Sequence, residues 1–230
     1  MEYRCEATSL EGFVQQLAVA YLPHGYWWYV SGKIPDGKDP KNIDERLIDK
    51  YDISVSPATR WRRKQLGKAN MQYLRYEDRF ILLATKGKHR FREEEANVMK
   101  FIWNVPYKIC NYSISHRQGG RTRTGQKDPK RHSHVQIEWE HYKELKAMFL
   151  GLATQRSVGH FAKLFYELPF EAYAPVRRQV GSIWKLVNKR REQSRLSIIP
   201  KEALPLKRRI VKPFQASTSK QKQIDVARMS

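Results

Sequence analysis

The apolar positions along this chain change period several times, and each change marks an element. Leu10, Phe13, Val14, Leu17 and Tyr21 recur at helical spacing, Thr8 and Glu11 match a capping box ahead of them, and Pro23 and Gly25 stop the run. Tyr3 to Ala7 reads as a short strand before that helix, and Tyr26 to Val30, rich in aromatic and β-branched side chains, as a strand after it. Residues 33–41 carry turn chemistry (Pro-Asp-Gly, then a second Pro). Asn42 with Glu45 then caps a short helix bearing Ile43, Leu47, Ile48 and Tyr51. Ser56-Pro57 opens another helix, because proline is tolerated at a first helical position.

Asp78 to Thr85, with its apolar run from Phe80 to Ala84, predicts a buried strand. Lys108–Arg117 and His132–Trp139 predict two paired strands, with Val135, Ile137 and Trp139 entering the core from one face of the second. The residues between them, 117–131, include three glycines and predict a mobile loop. Three helices follow, carrying Tyr142, Leu145, Phe149 and Leu152; then Val158, Phe161, Ala162, Phe165 and Leu168; then Val176, Val180, Ile183, Trp184 and Val187. After Arg195 the pattern fades under Pro200, Pro205 and Pro213, and from Gln215 the composition predicts disorder. The expected fold is therefore α+β: a small mixed or antiparallel sheet with packed helices and a helical C-terminal third. One compact basic domain is expected over residues 1–195, followed by a basic, Pro-punctuated tail over 196–230.

Charge changes this picture from a fold into a function. The 230 residues hold 44 Lys+Arg against 23 Asp+Glu, a net charge of +21. Such an excess repels itself in a compact chain and finds its use against an acidic polymer. It is unevenly spread. Residues 1–56 hold 6 basic and 9 acidic side chains, so the remaining 38 basic and 14 acidic residues leave +24 for residues 57–230. The acidic N-terminal quarter reads as scaffold or as a surface for a protein partner.

The cations come in runs. Arg60, Arg62, Arg63 and Lys64 precede Lys68, and Lys86, Lys88 and Arg90 form a second group beside Gly87. Arg117, Arg121, Arg123, Lys127, Lys130 and Arg131 fill the loop, and Arg177, Arg178, Lys185, Lys189 and Arg191 occupy the outward face of the last helix. Lys207-Arg208-Arg209 adds a further group. Lys and Arg in runs bind phosphates, which position a nucleic acid without reading its sequence. Trp61, inside the first run, and Trp27-Trp28-Tyr29 on a strand are candidates for stacking on unpaired bases.

One constellation suggests catalysis instead. On a strand, His132, His134 and Gln136 share a face, and two imidazoles with a third ligand can hold a divalent metal. Tyr142 begins a Tyr-x-x-x-Lys sequence that places Lys146 one helical turn on, and a tyrosine hydroxyl can attack a metal-polarised phosphodiester. These residues resemble motifs of the HUH endonucleases: rolling-circle replication initiators, relaxases and single-strand transposases. The resemblance implies a metal role for His132 and His134 and a nucleophile role for Tyr142. Lys146 would match the lysine that follows the tyrosine in some members.

The first reading is a non-enzymatic protein that grips RNA or DNA by its phosphates and needs no cofactor, as in a subunit of a ribonucleoprotein or mobile-element complex. The alternative is an HUH-like single-strand DNA nickase dependent on Mg2+ or Mn2+. Two cysteines, Cys5 and Cys110, make neither a disulfide framework nor a zinc motif, and both are expected as reduced thiols in or near the core. The N-terminal residues lack the basic-then-apolar order of a secretory signal, and no apolar run approaches the length of a membrane span. A cytoplasmic or nucleoid/nuclear location is expected, with no membrane partner.

Overall fold

The structure, a computed structural model, describes residues 3–120 and 124–215. It is α+β, with a four-stranded and a three-stranded antiparallel sheet and a C-terminal third built largely of helices. The chain divides into two units: residues up to 105, 116–133 and from 210 in the first, and residues 106–115 and 134–209 in the second. Arg121 and Arg123 of the basic loop, and the C-terminal segment from residue 216, lie outside the described residues.

In the first unit, α1 (Leu10–Gln15) continues as a π-helical turn through Tyr21. Its cap is Ser9, whose Oγ accepts a hydrogen bond from the Gly12 amide at 3.1 Å. The expected Thr8–Glu11 box does not form, because Thr8 is engaged elsewhere: its amide and hydroxyl bond the carbonyls of Pro213 and Gln215. Strand β1 (Trp28–Lys33) starts two residues later and runs three residues further than its aromatic run suggests. Helix α2 (Pro40–Lys50) is capped by Asp39 rather than Asn42, with Pro40 in the first turn. Helix α3 (Pro57–Gln65) is capped by Ser56.

Strands β2 (Met71–Tyr76) and β3 (Arg79–Ala84) form a hairpin on a two-residue turn, Glu77-Asp78. Helix α4 (Arg90–Glu94) and the short strand β4 (Lys100–Phe101) complete a sheet of order β2-β3-β1-β4. The sheet packs Met71, Tyr73, Leu82 and Ala84 against Tyr51, Ile53 and Phe91, all buried. The expected strand at residues 3–7 is reduced to a single bridge, Glu6 with Arg75.

In the second unit, the single strand expected over 108–117 is a hairpin. β5 (Tyr107–Ile109) turns back into β6 (Tyr112–Gln118) through Cys110 and Asn111, both left-handed at φ +42° and +66°. Two consecutive left-handed residues give the turn a twist matching that of the flanking strands. This turn leaves Cys110 exposed, which corrects its expected place in or near the core, whereas Cys5 is half-buried and packs against the core cluster. β7 (Arg131–Ile137) ends at Ile137, where the Gln179 side chain accepts from the Ile137 amide at 2.8 Å and donates to its carbonyl at 3.0 Å.

Trp139 is therefore not a core strand residue. It opens α5 (Trp139–Leu152), is exposed, and follows Glu138, whose carboxylate caps the helix. Phe149 of α5 packs on Phe161 and Phe165 of α6 (Val158–Tyr166). Helix α7 (Ala174–Gln193) buries the stripe Val176, Val180, Ile183 and Val187. Beyond it the chain stays packed: Ile199 is buried, and its carbonyl accepts from Trp184 Nε1 and Asn188 Nδ2 at 2.9 Å each. No helix among the described residues is long and apolar enough to cross a membrane.

Candidate nucleic-acid interface

In the first unit the runs at 60–68 and 86–90 are brought together. Lys68 and Lys88 form a parallel bridge, with the Ala69 amide donating to the Lys88 carbonyl and the Lys88 amide to the Gly67 carbonyl. Gly87 permits this approach, since a Cβ there would lie 2.5 Å from the backbone of residues 68 and 69. A cleft of about 470 Å3 results, lined by Arg63, Lys68, Lys88 and Arg90, with Asp52 and Glu93 as its acids.

The cations of α3 divide between two tasks. Arg60 donates to the carbonyls of Val55 and Ile53, and Arg63 to that of Asp52, so both brace the segment before the helix. Arg62 and Lys64 are exposed. Trp61 beside them is 66% exposed, and α3 buries none of its residues. Lys86 is exposed as well. His89 caps α4: its Nδ1 accepts from the Phe91 amide at 3.1 Å. Burial, Arg63 and Arg90 hold its pKa below the usual histidine range, consistent with an uncharged ring.

The basic loop is tied down where the structure describes it. The Gly119 amide donates to Lys130 O and the Asp128 amide to Gly120 O, both at 2.8 Å. Asp128 accepts from the Lys130 amide and from His132 Nε2 at 2.9 and 2.7 Å, and these bonds hold its carboxyl below its usual pKa. Arg117, Lys127, Lys130 and Arg131 remain exposed around this ordered stem.

In the second unit, α7 presents Arg177, Arg178, Lys185 and Lys189 to solvent. A groove of about 400 Å3 is lined by Arg177, Arg178 and Lys185, by Lys201 of the segment after the helix, and by Trp184, Leu204 and Leu206. No carboxylate is among its lining residues. Arg191 departs from the expected outward face. It is 3% exposed, and its guanidinium donates to the carbonyls of Ala153, Arg156 and Ser197 at 2.7–2.9 Å. The reason is periodicity: Arg191 falls one turn after Val187 on the buried stripe, where it closes three orphaned carbonyls. We expect Arg191→Ala to lower unfolding free energy by roughly 3 kcal/mol, because a charged buried donor is lost and its acceptors stay unpaired. Chemical denaturation would read that loss, and a change of less than about 1 kcal/mol would show the three bonds to be dispensable.

His132 and His134 both lie on β7, where His132 is exposed and paired with Asp128 and His134 is half-buried. Among the described residues no group of three His, Cys, Asp or Glu side chains is gathered that could hold a metal ion. Tyr142 is only 9% exposed, on the apolar face of α5 with Phe149, and Lys146 is half-buried.

Sequence reading missed a cluster at the β1–β4 edge. Trp28 and Phe101 are register partners with ring centroids 5.0 Å apart. Trp27 and Trp103 lie 4.8 Å apart, and His116 stacks on Trp27 at 5.9 Å and 25°. The guanidiniums of Arg92 and Arg131 sit 4.0 and 3.5 Å from the ring centroids of Trp28 and Trp103. The available signal was the Trp27-Trp28 pair; Phe101, Trp103 and Arg131 join it only through tertiary structure. Comparison with protein-family profiles finds no match to this chain, and comparison with curated proteins finds none either.

Proposed function

We propose that this protein binds nucleic acid, holding the phosphate backbone through cation-lined grooves, without a metal and without catalysing a reaction on its ligand. The observation that carries the reading is the α7 groove: four cations, drawn from one helix face and the segment after it, line a cavity free of any lining carboxylate. Cations that are not neutralised by neighbouring acids are the ones a polyanion can use, because each phosphate they meet releases condensed counterions. The Lys68–Lys88 cleft and the exposed α3 surface support the same reading from the first unit. The apolar floor of the α7 groove, from Trp184, Leu204 and Leu206, suits the sugar faces that alternate with phosphates.

The test is equilibrium binding of the full-length protein to a 20-nucleotide single strand and to a duplex of the same length, at several salt concentrations. The expected result is binding to at least one of them that weakens linearly on logarithmic axes. Absence of binding to both at about 50 mM salt, where phosphate contacts are strong, would overturn the proposal.

A further inference from the structure

We propose that the Trp27–Trp28–Phe101–Trp103 cluster, with Arg131 and His116, is a seat for an unpaired nucleobase, so that the protein distinguishes single strands from duplexes. This inference rests on the nucleic-acid reading above and adds the form of nucleic acid that the site takes.

The geometry begins with the sheet edge. β4 is the edge strand, and its pairing with β1 sets Phe101 beside Trp28. Trp103 follows on the next turn and contacts both Phe101 and Trp27 at 4.8 Å. All four large rings are only partly buried. Continuous aromatic surface at a sheet edge, still reached by solvent, is what a base needs for stacking.

Arg131 covers Trp103 from outside. It is exposed, forms no ion pair among the described residues, and lies with its guanidinium carbon 3.5 Å from the ring centroid. A guanidinium stacked in this way can yield the ring face to a base or lie on the far side of it, since both planes stack on tryptophan. Arg117 and Lys130, both exposed, extend the same stretch of chain with charges for the adjoining phosphates.

The cluster also carries unused polar capacity. Trp103 Nε1, His116 Nδ1 and Arg92 Nε are buried and have no hydrogen-bond partner. Buried polar atoms are nearly always paired, so several orphans along one chain of ring contacts call for a missing partner. His116 is 4% exposed, and burial together with Arg131 and His132 holds its pKa below the usual histidine range. An uncharged imidazole and an indole N–H match the neutral donors and acceptors of a base edge better than they match a phosphate. A duplex cannot offer that edge, because its bases are stacked and paired.

The experiment uses the full-length protein with a 12-nucleotide oligothymidine carrying one 5-iododeoxyuridine, and a duplex containing the same strand. Irradiation is expected to crosslink the single strand to Trp27, Trp28 or Trp103, identified by mass spectrometry, and to give no such adduct with the duplex. Trp103→Leu is expected to weaken single-strand binding about 5- to 150-fold, the range seen for loss of one base–aromatic stack, and to leave duplex binding unchanged. Should Trp103→Leu fold poorly, the exposed Arg131→Gln serves in its place, and the wild-type crosslink needs no variant. Equal affinity for the two forms, with adducts only at Trp61 or elsewhere, would overturn this inference and leave the phosphate-binding reading standing. Failure to bind either form would remove both.

Discussion

Replacing Arg177, Arg178, Lys185 and Lys201 together by Gln should flatten the salt dependence of nucleic-acid binding by about 3.6 in logarithmic slope for a duplex and about 2.8 for a single strand. Between 50 and 200 mM salt that difference amounts to roughly 150-fold and 50-fold in affinity, respectively. The four side chains line one groove that includes no carboxylate, so each is expected to contribute as a full cation rather than as half of an internal pair. Gln keeps most of each aliphatic stem and its packing while removing the charge, and the main expected cost to stability is the lost bond from Arg177 to the Ala172 carbonyl at 2.6 Å, about 1 kcal/mol. The comparison that matters is with a second variant, Arg62→Gln with Lys64→Gln on α3. If that variant changes the slope and the groove variant does not, the phosphates run along the first unit alone.

The helices of the second unit were legible because their signal is local. Val176, Val180, Ile183 and Val187 repeat at the period that an amphipathic helix requires, and the structure buries that stripe. β2 left no such signal. It is buried along Met71–Arg75 on both faces, with Gln72 and Arg75 inside, so neither alternation nor a continuous apolar run marks it. Those two polar residues are tolerated because distant side chains satisfy them: Tyr3 donates to Gln72 at 2.7 Å, and Asp44 pairs with Arg75. The β5–β6 turn was hidden for a related reason. Its left-handed residues are Cys110 and Asn111, with none of the glycine that usually advertises such a turn.

The candidate interface was legible to a similar degree. Runs of cations are visible in sequence, but which of them stay outside is a tertiary matter. Arg60 and Arg191 are spent on backbone carbonyls, and Arg92 and Arg131 lie on tryptophan rings. The convergence of Lys68 with Lys88 depends on a glycine that lets two backbones pair across twenty residues of chain. For the HxH pattern, two histidines at strand spacing point to a metal in sequence, and no third His, Cys, Asp or Glu joins them among the described residues.

Asp44→Ala should be the most damaging single substitution in the first unit, costing about 3–5 kcal/mol of unfolding free energy. Asp44 and Arg75 are buried to 7% and 4% side-chain exposure, and Arg75 Nε lies 2.9 Å from both carboxylate oxygens. Tyr73 donates its hydroxyl to the same carboxylate at 2.6 Å, and the two terminal nitrogens of Arg75 reach Glu6 at 3.1 Å and the Glu77 carbonyl at 2.8 Å. Deleting the acid strands a guanidinium and a phenol in the interior, which is far costlier than the net worth of the pair. Asp44→Leu combined with Arg75→Met should therefore recover most of the loss, because an apolar replacement of both partners leaves no buried charge to desolvate. Denaturant midpoints of the two variants decide the matter. A double variant as unstable as Asp44→Ala would mean that the ion pair is needed for β2 to dock at all, and that the acidic N-terminal quarter acts chiefly as the internal counterion of the strand that follows it.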